Sequence, residues 1–159
     1  MICDKPEPVV NFDGAAYMRT WYTAAHSRGM PFQPDGWTCT TATYSDLEGR
    51  DFKLYNSSEN QHHQGPFGVH GTAEVSLDGT GTIAVSISYP AFAPNYFIVD
   101  TDYENYSIVY NCDEKDGIVF LWYLTRKEVA TFEELDKYDA ITHAKMPHFD
   151  TSNDLLHDY

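Results

Sequence analysis

Cysteine is scarce in this chain of 159 residues: Cys3, Cys39 and Cys112 stand far apart and form no CxxC pair. That excludes a zinc knuckle and a thioredoxin-type dithiol, and it allows at most one intrachain disulfide with a thiol left over. Positive charge is also short, with 10 Lys and Arg against 24 Asp and Glu and a formal charge of -14. Such a surface repels phosphate backbones and anionic headgroups, so nucleic acid is not an expected partner. No window approaches the roughly eighteen apolar residues of a membrane span. Residues 1–10 lack the basic and apolar regions of a signal peptide, so an exported form would already have lost its leader. Repeats and low-complexity tracts are missing, and the length suits one domain covering residues 1–159.

Aromatic residues are plentiful, with 12 Tyr, 9 Phe and 3 Trp, a composition that favours strands and a stacking pocket over a helical bundle. Short strand-like runs recur between turn residues, the pattern of an all-β barrel or sandwich. They cover residues 21–25, 38–45, 52–56, 69–77, 82–89, 96–101, 106–112 and 118–125. Eight antiparallel strands close an up-and-down barrel with room for side chains or one small ligand. The barrel is expected over residues 19–126. Thr131-Phe132-Glu133-Glu134 then reads as a capping box. Phe132, Leu135, Tyr138 and Ile141 recur at helical spacing, so one amphipathic helix is expected over residues 132–144, followed by a polar surface tail over 147–159.

Strand parity groups the candidate pocket residues. Tyr44 shares a face with Ala42 and Thr40, Asn56 with Phe52 and Leu54, and Ile87 with Val85 and Tyr89. Phe97 goes with Val99, Tyr106 with Ile108, and Trp122 with Leu124. For any one of these residues, plain core packing competes with a ligand contact.

Three segments carry a resemblance. Asn11-Phe12-Asp13 with Tyr17-Met18-Arg19-Thr20-Trp21-Tyr22 resembles the first lipocalin signature. The run 93–112, with Thr101-Asp102-Tyr103 at its centre, is similar to the apolipoprotein D-like branch. Trp122-Tyr123-Leu124-Thr125-Arg126 resembles the third signature. One departure is Arg19, where the signature usually has glycine; Arg tolerates a positive φ poorly, so the entry into the first strand is expected to differ.

The resemblance implies an extracellular carrier of a small hydrophobic ligand, either a lipid, a steroid or a bound chromophore such as a bilin or carotenoid, with no cofactor required. It implies that Tyr44, Asn56, Ile87, Phe97 and Trp122 line the pocket, that Arg126 stacks on Trp21 at the closed end, and that Cys3 pairs with Cys112. Cys39 would then be free, unless it links a homo-oligomer.

Two other chemistries compete with this reading. His62, His63 and His70 suggest a metal, but adjacent side chains on an extended chain point apart, so a solvated loop at the barrel mouth is preferred and His70 is placed among the ligand contacts. A lipocalin-fold enzyme of isomerase or de-epoxidase type would need Cys39 as nucleophile or Asp100 and Asp102 as acid and base. Parity turns Cys39 outward, and no triad order or diagnostic acid pair accompanies these residues. Asn56-Ser57-Ser58 and Asn105-Tyr106-Ser107 match the glycosylation sequon.

Overall fold

A computed structural model describes residues 3–30, 37–60, 66–87, 90–91 and 93–157. Eight strands follow one another around a closed antiparallel barrel: β1 Arg19–Ser27, β2 Trp37–Glu48, β3 Asp51–Asn60, β4 Pro66–Val75, β5 Thr82–Ser86, β6 Tyr96–Thr101, β7 Tyr106–Asp113 and β8 Ile118–Thr125. Each pairs with the next, β8 pairs back onto β1, and β1 also pairs with β2, so the sheet has no open seam. A four-residue helix α1, Gly14–Tyr17, precedes the barrel, with Asp13 capping it through a bond from the Ala16 N–H.

Helix α2, Phe132–Lys145, opens on the expected capping box: the Thr131 hydroxyl accepts from the Glu134 N–H while the Glu134 carboxylate accepts from the Thr131 N–H. Leu135, Tyr138 and Thr142 face the sheet. Phe132, the first residue of the helix, does not; it is 88% exposed. The tail also departs from expectation. Residues Leu155–His157 form a ninth strand, β9, beside residues 25–27 of β1, beyond the stretch 19–22 that pairs with β2, and Phe149 and Leu155 are buried. Their apolar side chains and the unpaired backbone of β1 both gain from docking, which outweighs the polar composition of the segment.

Strand alternation sorts the apolar residues into two cores. Trp21, Tyr44, Phe52, Leu54, Ile83, Ile98, Val109 and Leu124 fill the barrel. Val99, Tyr106, Ile108, Tyr110, Leu121 and Tyr123 pack outside it beneath Leu135 and Tyr138 of α2.

The segment before α1 is strapped to the barrel, with Val9 and Phe12 packed against the inner core. The Cys3–Cys112 disulfide anchors one end. Further along, the Val9 N–H donates to Ile98 O and the Gly81 N–H to Val9 O. A Cβ on Gly81 would lie 2.8 Å from the Val9 side chain, so this close approach requires glycine.

Arg19 takes up the backbone conformation that glycine usually supplies there, with φ of 82°. Strand entry is therefore preserved, and the cost is borne as local strain. Arg19→Gly should be more stable than Arg19→Ala by about 1 kcal/mol in denaturant unfolding, since glycine meets no Cβ penalty at positive φ.

Candidate functional site

The closed end of the barrel is built around Trp21 and Arg126. The Arg126 guanidinium carbon lies 3.6 Å from the Trp21 ring centroid. Its nitrogens donate to the carbonyls of Tyr103, Thr20 and Ala16 at 2.9 to 3.0 Å. The indole N–H of Trp21 donates to Tyr17 O at 2.9 Å. One cation thus ties together α1, β1 and the turn between β6 and β7.

Thr101, Asp102 and Tyr103 shape that turn. The Thr101 hydroxyl donates to Tyr106 O at 2.6 Å, and Asp102 Oδ1 accepts from the N–H groups of Asn105 and Tyr106. Burial alone would raise the Asp102 pKa, but the bonds from Asn105 and Tyr106 outweigh it and hold the carboxyl below its usual range. The Tyr103 hydroxyl accepts from the Asp13 N–H at 3.1 Å, joining the turn to the cap of α1.

Above this floor three tyrosines fill the lower half of the barrel. The Tyr17 hydroxyl is 2.7 Å from that of Tyr96 and 2.8 Å from Ser107 Oγ, and Tyr96 is 3.0 Å from the Tyr44 hydroxyl. Tyr17 and Tyr44 stack at 5.6 Å. Burial pushes the Tyr44 phenol up to about 12 and also raises Tyr96 and Tyr17 well above the ordinary phenol value. A group held neutral in the fold contributes stability below its unfolded pKa, near 10 for tyrosine, and loses it as pH rises through the folded value. The denaturant midpoint should therefore fall progressively from pH 10 to about 12, and Tyr44→Phe should lessen that fall.

The upper half, toward the β1–β2, β3–β4 and β5–β6 connections, is lined differently. Tyr96 faces Trp122 in a stacked pair at 6.4 Å, and Trp122 stacks on Phe120 at 6.2 Å. Across the barrel, Asn56 pairs with Ala42 on one side and Val69 on the other, so it shares their inward face. Its Oδ1 is buried and has no hydrogen-bond partner among the described residues. Ile87, 43% exposed, follows β5 with its Cγ1 beside Gly71, next to the Leu54 side chain, at the rim. His26 sits opposite Trp122 in the β1–β8 register and is 1% exposed.

Several candidate contacts lie elsewhere. Phe97 is directly opposite Tyr110, which packs in the outer core, whereas Tyr96 and Ile98 occupy the inner face. Phe97 shares a face with Val99, and that face is the outer one instead of the inward one expected. Tyr106 is also outside, stacked at 5.1 Å on Tyr138 of α2 with the Lys137 ammonium 4.6 Å from its ring. His70 alternates with the inward Gly71 and Ala73, and lies 4.6 Å from the ring of Tyr55 on the outer face. Tyr89, His62 and His63 fall outside the described residues. Asp100 lies opposite Ile108 of the outer core, and Asp102 is occupied by its turn, so neither acid faces the barrel interior. Cys39 is an exposed free thiol at φ 54°, within a β2 bulge.

Tyr17, Tyr96 and His26 were not singled out as site residues from the sequence. Tyr96 opens its strand one residue before Phe97, and only the pairing across to β7 decides which of the two points inward. His26 reaches the inner face because β1 carries a bulge between Thr23 and Ala25, which a strict two-residue alternation does not reveal.

The chain is similar to known proteins in sequence and in fold. The chain is 28% identical over 145 residues to the Lazarillo protein of Schistocerca americana, covering 87% of this chain and 67% of that protein. It is 30% identical over 132 residues to apolipoprotein D of Mus musculus, covering 78% and 66%. It therefore spans about two thirds of the length of either relative. The solved structure of insecticyanin from the tobacco hornworm Manduca sexta superposes with a TM-score of 0.79 at 20% identity, covering 99% of this chain and 86% of that one, a likeness of fold. The sequence model of the lipocalin and cytosolic fatty-acid binding protein family matches residues 20–153, from the Trp21 strand through the helix and into the tail, and the chain belongs to that family.

Proposed function

We propose that this lipocalin is a carrier for one small, flat, largely apolar molecule, held in the upper half of the barrel with an N–H or O–H group turned to Asn56. The observation that carries the reading is the buried, unpartnered Asn56 Oδ1. A buried acceptor without a donor costs about 1 to 3 kcal/mol, which a ligand donor at that point would recover. The Tyr96, Trp122 and Phe120 rings offer the faces on which a planar body stacks. The lower half is already filled by the tyrosines and Trp21, so the cargo is short or enters only part way.

Of the two chromophore types, a bilin brings pyrrole N–H groups that suit Asn56, while a carotenoid is mostly hydrocarbon. The Cys3–Cys112 disulfide fits an oxidising compartment and supports an extracellular location. The exposed Cys39 thiol supplies a linkage point for a homo-oligomer under the same conditions.

Protein from its native source should release a small planar molecule into organic solvent, identified by mass spectrometry and, for a pigment, by its visible band. Asn56→Leu tests the assigned contact. Removing the orphan acceptor should raise the stability of the empty protein by about 1 kcal/mol. It should weaken the recovered ligand roughly tenfold, followed by quenching of tryptophan fluorescence. Unchanged affinity with raised stability would remove Asn56 from the site. A barrel that binds neither extract nor planar probes would overturn the carrier reading.

A further inference from the structure

We propose that Asn105, and not Asn56, is a site of N-linked glycosylation; the proposal rests on the extracellular reading above. Both residues begin an Asn-X-Ser triplet, the acceptor pattern in chains that pass through the secretory route. The fold separates them. Asn56 lies within β3 on the inner face with its Oδ1 buried, so a glycan there would have to occupy the barrel. Asn105 is exposed in the turn between β6 and β7.

The turn has chemistry to spare at that position. Asn105 Nδ2 donates to Asp102 Oδ2 at 2.7 Å, and the Asn105 backbone N–H donates to Asp102 Oδ1 at 2.8 Å. A carboxamide nitrogen carries two protons, and the Asp102 bond uses one of them. In the transfer, Nδ2 forms a bond to the anomeric carbon of the sugar of a lipid-linked oligosaccharide donor. The bond from that carbon to the lipid pyrophosphate breaks, the pyrophosphate leaves with the electron pair, and one amide proton passes to base. The resulting secondary amide keeps one N–H for Asp102, so the turn survives modification.

Ser107, the third residue of the triplet, is fully buried with its hydroxyl 2.8 Å from that of Tyr17. Transfer therefore belongs to the interval before this corner of the barrel closes. A glycan added to Asn56 in the same interval would block closure, so the folded fraction carries none there. The Arg126 backbone N–H donates to Asn105 O at 3.0 Å, which puts the glycan at the closed end of the barrel. That is the end where Arg126 covers Trp21, and the mouth stays clear for cargo.

The test is to produce the chain with a cleavable leader in a eukaryotic host and to map the secreted, folded protein by mass spectrometry before and after enzymatic deglycosylation. The Asn105 peptide should carry the glycan, the Asn56 peptide should be unmodified, and Asn105→Gln should abolish the shift in electrophoretic mobility. An unmodified Asn105, or a glycan on Asn56 in folded protein, would overturn the proposal. A chain retained in the cell with Asn105 glycosylated would instead sink the extracellular reading and support the site.

Discussion

Replacing Trp21 with alanine is expected to lower the free energy of unfolding by about 3 to 5 kcal/mol, the range for a fully buried aromatic side chain. For a domain of this size that is roughly 10 °C in Tm. Three contributions make up the loss. Trp21 is 0% exposed at the centre of the inner core. Its indole N–H satisfies the Tyr17 carbonyl at the end of α1. Its ring is the face on which Arg126 rests, a cation–π contact of about 0.5 to 2 kcal/mol.

The last term can be isolated. Arg126→Lys keeps the charge but loses the planar fork that reaches Tyr103, Thr20 and Ala16 together. In a double-mutant cycle, the loss from Arg126→Lys should shrink when Trp21 is already alanine. Additive losses, measured by denaturant unfolding, would show that ring and guanidinium act independently.

The second large effect concerns the strap. Changing Cys3 and Cys112 together to serine should cost about 2 to 5 kcal/mol. The disulfide links residues 109 apart in sequence, and a loop of that order constrains the unfolded chain by about 4.7 kcal/mol in the chain-entropy account. The native side loses as well: Asp4 Oδ1 lies 2.6 Å from His148 Nδ1 and Asp4 O accepts from the Tyr110 hydroxyl, and both contacts depend on the anchored N-terminus. Limited proteolysis should cut the double variant first within residues 3–13. Cys39→Ser is the control, expected within about 0.5 kcal/mol of the parent because that thiol is exposed and unpaired. Equal stability of the two variants would show that the strap contributes nothing beyond its covalent bond and that the bond itself is dispensable.

The outline of the barrel was legible because turn residues and period-two alternation are local signals. The runs at 96–101, 106–112 and 118–125 agree with β6, β7 and β8 to within a residue. The capping box of α2 was equally readable, since its partners are three residues apart. Ends were less so. β5 stops at Ser86, before Ile87, and β4 begins at Pro66 rather than at 69. Strand ends depend on which backbone groups a neighbouring strand still offers. The expected surface tail failed for the same reason: β9 forms on an edge that exists only after β1 has folded.

For the site, alternation identified which residues share a face, but not which face is inside. On β2, β3 and β8, Tyr44, Asn56 and Trp122 share a face with inward neighbours. On β6 and β7 the expected facing was inverted, because both faces of those strands are buried, one inside the barrel and one under α2. Phe97 and Tyr106 are as apolar as any pocket residue, so hydrophobicity carries no vote there. The amino-acid sequence alone determined the barrel, its eight strands, the closing helix and, through the lipocalin resemblance, the cysteine pairing. Tertiary structure decided the facing of β6 and β7, the bulge that turns His26 inward, and the isolation of Asn56 Oδ1. These are set by packing between segments distant in the chain, and no local pattern encodes such contacts.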